Sequence, residues 1–214
     1  MVQPLVLVVD DDASIRTSTQ RLLETEGFDV RTFENASDVF AQGRPQGPCC
    51  LILDVHLPEI DGLAFYEKLR HSGMNVPTLF VTAFGDIPMS VRAIKSGAVD
   101  FITKPFNPDL LISRVLDALE LDERALVSNH HQQEVRQSYQ RLTPREREIF
   151  VDVASGKPNK EIAADHGISE KTVKVHRARV MEKMGAGTLA ELVRMADLLG
   201  LPCQKQAYAF EQPN

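Results

Sequence analysis

Five times in the first 121 residues, a short apolar run gives way to a stretch with helical periodicity. The runs fall at 5–9, 50–53, 78–81 and 99–102, while 28–33 alternates at period two. The helical stretches fall at 14–26, from Ala36, and at 63–71, 88–96 and 107–121. Gly27 and Gly97 are placed as helix stops, and the turn-rich segment 43–48 ends the second helix. Near-continuous apolar strands are the mark of strands buried on both faces, as in a parallel sheet covered by helices. The predicted fold is therefore α/β, a doubly wound five-stranded parallel sheet. Such sheets bind ligands at the carboxyl ends of their strands, so the residues there matter most.

Four of those ends carry reactive side chains. The first leads into Asp10-Asp11-Asp12, the third ends in Asp54, the fourth in Thr82, and the fifth leads to Lys104 before Pro105. Each has a bland explanation taken alone. Asp12 suits a helix N-cap, Asp54 a turn, Thr82 the close of a strand and Lys104 a surface loop. Converging on one rim, they form another object. Clustered carboxylates repel one another without a cation, and an oxygen-rich, partly hydrated set suits Mg²⁺. An ammonium and a hydroxyl nearby would serve phosphoryl oxygens. Nucleophile, metal and cationic donors together are the equipment of phosphoryl transfer.

Charge divides the chain. Residues 1–121 hold 10 Lys and Arg against 17 Asp and Glu, a net −7, which suits divalent metal and disfavours nucleic acid. Residues 122–141 are balanced and polar, and read as a helical linker; His130 and His131 within it read as a solvated pair rather than metal ligands. Residues 142–201 are wholly helical in pattern, and 202–214 reads as a flexible tail. No apolar run reaches the ~20 residues of a membrane span, and the N-terminal pattern is not that of a signal peptide, so a cytoplasmic protein is expected. Cys49, Cys50 and Cys203 allow no even disulfide set and show no metal spacing. The first two are expected to pack at the start of a buried strand.

The C-terminal part opens with strong helix signals. Thr143 is placed as N-cap, Pro144 in the first turn and Glu146 as the partner of a capping box. A short helix at 159–166, a turn at Gly167, and a helix at 170–184 capped by Ser169 make a helix-turn-helix. Ile168, Val173, Val180 and Met184 face inward, while Lys171, Lys174 and Arg177 project outward, with His176 a fourth candidate. Residues 169–184 carry a local +3, a hint of a phosphate-backbone partner. Basic solvated helices are common, so spacing weighs more than charge. Leu189, Leu192, Val193, Ala196 and Leu199 on a fourth helix suit either core or a dimer surface.

These blocks resemble a known family. Val8-Val9-Asp10-Asp11, Leu51-Ile52-Leu53-Asp54 with Pro58 and Gly62, Val81-Thr82-Ala83 and Lys104-Pro105-Phe106 resemble the flavodoxin-like receiver of two-component response regulators. Gly85-Asp86-Ile87-Pro88-Met89 and Ser96-Gly97-Ala98-Val99-Asp100-Phe101 are similar to the FixJ-like and styrene-responsive branch. Leu142-Thr143-Pro144-Arg145-Glu146, Asn159-Lys160-Glu161-Ile162-Ala163 and Thr172-Val173-Lys174-Val175-His176 resemble the LuxR-type DNA-binding domain. The whole is identified as a member of the NarL/FixJ type. That resemblance implies that Asp54 accepts phosphate from a sensor histidine kinase. It implies Mg²⁺ held by Asp11 and Asp54, with Asp10 acting through water and His56 through its backbone carbonyl. Thr82 and Lys104 would contact the phosphoryl group, and Phe101 stands where many receivers carry a switching tyrosine. Lys171, Lys174, Val175, His176 and Arg177 would meet double-stranded DNA, with Lys174 and Val175 at base edges. Partners then include RNA polymerase and a second copy upon phosphorylation, and an activator is expected rather than an enzyme. The predicted domains are a receiver at 1–121, the linker at 122–141 and the DNA-binding domain at 142–201. Two rivals stand beside this reading. One is an aspartate-nucleophile phosphatase, which wants an acid where His56 lies; the other is a sigma-factor-like or RNA-binding output.

Overall fold

The computed structural model describes residues 3–83, 85 and 87–201; the expected tail with Cys203, and Asp86 of the resemblance, lie outside them. It divides into two compact units, Met1–Val127 and Ser128–Asn214.

In the first unit β1 (Leu5–Val9), β2 (Asp29–Phe33), β3 (Cys49–Asp54), β4 (Thr78–Thr82) and β5 (Asp100–Thr103) form one sheet in the order β2-β1-β3-β4-β5. Every pairing is parallel. Between them run α1 (Ala13–Thr25), α2 (Ala36–Gln42), α3 (Gly62–His71) and α4 (Ile87–Lys95). The burial pattern explains the unbroken apolar runs. Leu5, Leu7 and Val9 enter one core cluster with Leu51, Leu53 and Phe80 of the sheet and Leu63, Phe65 and Leu69 of α3. Their neighbours Val6 and Val8 enter the opposite cluster with Cys50, Ile52, Leu79, Val81, Leu23 of α1 and Leu111 and Val115. Successive side chains point to opposite faces, and both faces are covered. Burying one such aliphatic side chain stabilises by about 1.5–3 kcal/mol. On the edge strand β2, Asp29 and Arg31 are exposed while Val30 and Phe33 are partly buried, which is the alternation visible in its sequence. Cys49 and Cys50 are buried free thiols at the start of β3, pushed above the ordinary thiol range by burial first.

The helix α5 spans Pro108–Gln140 and contributes to both units. It joins the helix expected to end at Leu121 and the helical linker expected at 122–141 into one element, because no glycine or proline interrupts residues 109–143 and the polar stretch is rich in good helix formers. His130 and His131 are exposed on it, 3.5 and 4.0 Å from Glu134.

The second unit adds α6 (Pro144–Ala154), α7 (Asn159–His166), α8 (Glu170–Met184) and α9 (Leu189–Leu198). Its core joins Ile149, Phe150 and Val153 of α6 to Ile162 of α7, Val173 and Val180 of α8, and Leu192 and Ala196 of α9. Leu192 and Ala196 are thus core residues, whereas Leu189 is 40% exposed.

Candidate functional site

Strand order brings the reactive ends of β1, β3, β4 and β5 to one rim. Asp10 and Asp54 are buried there, Asp11 is exposed, and Thr82 is fully buried. One oxygen each from Asp10, Asp11 and Asp54 lie within 4.8 Å of one another. The Lys104 ammonium bridges the two buried carboxylates, 2.6 Å from Asp10 and 2.5 Å from Asp54. Burial works against the lysine's charge, but its hydrogen bonds to Asp10 and Asp54 outweigh it and raise the pKa. For Asp10 burial prevails over the Lys104 hydrogen bond, and its carboxyl is pushed up. Three carboxylates with one ammonium leave an excess of negative charge, and hard oxygen donors so arranged fit a hydrated divalent cation. The third acid has a different task, since Asp12 caps α1 by accepting from the amides of Ser14 and Ile15.

The loop after β3 holds the central carboxylate in place. Asp54 Oδ1 accepts from the His56 amide at 2.9 Å. Asp61 caps α3, and the Gly62 amide donates to Val55 O at 2.8 Å. A Cβ on Gly62 would lie 2.2 Å from the Asp54 carbonyl oxygen, so only glycine lets α3 begin so close to the site.

Two side chains sit where sequence reasoning did not put them. The His56 ring is bonded through Nδ1 to Thr82 Oγ1 at 3.0 Å, so its side chain as well as its backbone takes part in the site. Arg16 of α1 donates to the Asp10 carbonyl at 2.6 Å, braced by Glu34 at 3.8 Å; only proximity to the acidic run hinted at it. Phe101 is half-buried against the core on the α3 side, and its ring lies so near Gly85 that a Cβ there would come within 2.8 Å.

In the second unit Thr143 and Glu146 form the capping box, Gly167 makes a left-handed turn at φ 62, and Ser169 caps α8. Lys171, Lys174 and Val175 are exposed on α8. His176 and Arg177 depart from the outward placement predicted for them. Both are half-buried; His176 Nδ1 is buried without a hydrogen-bond partner among the described residues, and Arg177 reaches back to Asn159 of α7 at 3.3 Å. Lys183, part of the predicted basic patch, is turned inward and bonds to the buried Glu146 at 2.6 Å. Its charge is thus spent on α6, because the capping-box carboxylate is shut off from water and needs a cation.

Residues 6–116 match the response regulator receiver domain, and residues 140–196 match the bacterial regulatory proteins of the luxR family. Nodulation protein W of Bradyrhizobium diazoefficiens is 40% identical over 197 residues, spanning 92% of this chain and 87% of that protein. The transcriptional regulatory protein FixJ of the same organism is 38% identical, over 92% of this chain and 96% of its own length. Among solved structures, the response regulator StyR is similar with a TM-score of 0.82 and 39% identity, covering 92% of this chain and 99% of that one. Full-length FixJ from B. japonicum gives a TM-score of 0.56 at 37% identity, covering 94% and 98%.

Proposed function

Because the chain belongs to the response regulators that join a receiver domain to a LuxR-type DNA-binding domain, we propose that Asp54 is its phosphoacceptor and that phosphate there governs DNA binding through α8. The observation that carries this reading is the convergence of Asp10, Asp11, Asp54 and Lys104 on one rim. Transfer from a sensor kinase breaks the P–N bond of its phosphohistidine and forms a P–O bond to an Asp54 carboxylate oxygen, while the imidazole leaves with a proton. Asp11 and Asp54 would hold Mg²⁺ through carboxylates, with Asp10 through water and His56 through its carbonyl. Bound there, the ion supplies positive charge opposite the phosphoryl oxygens. Lys104 keeps its ammonium and shifts from carboxylate to phosphoryl oxygen. The Thr82 hydroxyl exchanges its His56 partner for the same group.

Phosphate adds about −1.5 to −2 charge at Asp54. Drawing in Thr82 and Lys104 pulls on the chain before and within the segment 88–106, which carries most of α4 and Phe101. The exposed apolar residues of α4, Ile87, Val91 and Ile94, make this the face on which a second copy docks. A dimer offers two recognition helices to two half-sites. Lys171, Lys174 and Val175 line the DNA-facing side of α8, with His176 and Arg177 behind them. The chain acts as an activator that engages RNA polymerase, works in the cytoplasm, and accepts phosphate without turning over a substrate. A phosphatase would need an acid two residues after Asp54, and the residue there is His56.

With Mg²⁺ and acetyl phosphate, the wild type is expected to gain one acid-labile phosphate and to sediment as a dimer on DNA captured from a random pool. Equal labelling of Asp54→Asn sinks the assignment. A phosphorylated protein that stays monomeric yet binds DNA more tightly points instead to release of an inhibitory contact.

A further inference from the structure

A polar cluster in the DNA-binding unit lies outside everything described so far. His166 is the last residue of α7, directly before the Gly167 turn into α8, and its side chain is only 13% exposed. Its Nε2 lies 2.6 Å from Asp152 Oδ2 on α6. Its Nδ1 lies 2.6 Å from Arg145 Nη1, also on α6, and the second Arg145 nitrogen donates to the His166 carbonyl at 2.7 Å. A guanidinium has donors only. Nδ1 must therefore accept, which leaves the ring proton on Nε2, donating to Asp152. The arrangement requires a neutral imidazole.

The charged groups facing this ring are mixed. From α6 come Arg145, Glu148 and Asp152; Lys157 in the connection to α7 pairs with Asp152 at 2.7 Å and with Asp165 of α7 at 3.0 Å. Burial opposes the Asp152 charge, but Lys157 and His166 outweigh it and hold the carboxyl below its usual range. It remains an acceptor throughout. The remaining acceptor is Glu148 Oε2, 3.5 Å from His166 Nδ1 and already 2.7 Å from Arg145. A second ring proton would set two donors against each other at the Arg145 contact. The imidazolium would then take Glu148, and Arg145 would withdraw along with its bond to the carbonyl that closes α7.

We propose that His166 is a positioning residue for DNA recognition: as a neutral imidazole it ties α6 to the turn ahead of α8, and its protonation loosens that turn and weakens DNA binding. The proposal rests on α8 being the helix that meets DNA. Histidine as a class changes charge between about pH 5 and 8, which sets the range of the test. Its sign is diagnostic. Protonating a histidine merely near DNA adds positive charge and strengthens binding, whereas loosening this joint weakens it.

The test uses the full unphosphorylated chain and a duplex selected by this protein from a random pool, at constant ionic strength. Wild-type Kd is expected to rise about fivefold or more between about pH 8 and pH 6, the scale of an ordinary coupling between two sites. His166→Gln supplies one acceptor for Arg145 and one donor for Asp152, and should keep the alkaline affinity while losing the pH dependence. Arg145→Gln, which can accept from an imidazolium, should flatten the profile by the opposite route. Circular dichroism at both pH values checks that the helices persist. Wild-type affinity that is flat or rises toward acid overturns the proposal, as does a wild-type-like pH profile in both variants. Loss of all DNA binding at every pH in wild type would instead strike at the reading of α8.

Discussion

Lys183→Met separates the inward role of this lysine from a DNA-contacting one. The substitution keeps the aliphatic stem and removes the ammonium that lies 2.6 Å from Glu146. The Glu146 side chain is 4% exposed and that of Lys183 36%. Breaking a fully buried pair costs about 3–5 kcal/mol, and breaking an exposed one costs under about 1. With one partner buried and the other at the surface, roughly 2 kcal/mol is expected. In a unit of this size that lowers Tm by about 8–16 °C. Calorimetry of the full chain should show one transition moving while that of the receiver stays. The acid limb gives a second reading. The Lys183 hydrogen bond first, then the Thr143 amide, hold the Glu146 carboxyl down at about 2 from 4.5. A depressed folded-state pKa contributes stability that is present above the unfolded value and lost as pH falls through the folded one. The wild-type unit should therefore lose stability between about pH 4.5 and 2, and Lys183→Met should flatten that limb. The reasoning fails if Tm is unchanged while the salt dependence of DNA binding weakens by about one phosphate contact, a slope change near 0.9; Lys183 would then face DNA.

Three other outcomes are expected. Asp11→Ala should weaken Mg²⁺ binding by at least tenfold in titration calorimetry and His56→Ala should change it little; the reverse order would reassign the ligands. Lys174→Ala should bring affinity for selected DNA close to that for random DNA, a loss of about 1–3 kcal/mol of discrimination, measured by competition. Gly62→Ala forces a methyl group toward the Asp54 carbonyl; a receiver Tm lowered by several degrees, with slower acetyl-phosphate labelling, is expected, and labelling at the wild-type rate would mean that α3 can shift freely.

Much of this was legible in the residues, for reasons that differ by element. β1 and β3 were found because strands covered on both faces cannot carry polar residues, and the acids at their ends stood out against that run. The capping box at Thr143 and Glu146 was legible because it is local, closing within one turn. The helical character of 122–141 was legible in its good helix formers, but that it continues α5 without a break was not, since polarity suggested a separate linker and no glycine or proline marks a stop. Lys183, Arg177 and His166 were opaque for one shared reason. Whether a charged side chain on a helix turns to water or to a neighbour depends on a partner far away in sequence, such as Glu146 for Lys183, and helical periodicity carries no information about it. The Thr82 to His56 contact was hidden likewise, since β3 and β4 are brought together only by the sheet.

The sheet has two open margins, and neither invites another strand. β2 presents Asp29 and Arg31, and β5 is four residues long and begins with Asp100. Charge and shortness are the usual guards against edge-to-edge addition. Strand addition by a second copy is therefore disfavoured, and the proposed dimer is expected to form through helix faces. Strand addition would lock partners by a ladder of backbone hydrogen bonds, slow to undo. In the proposed dimer, contact through helices such as α4 would leave the pair held by a modest apolar patch that can separate once its stimulus has gone. If the signal is a hydrolysable phosphate, as proposed, the guarded edges would keep the output as short-lived as the input.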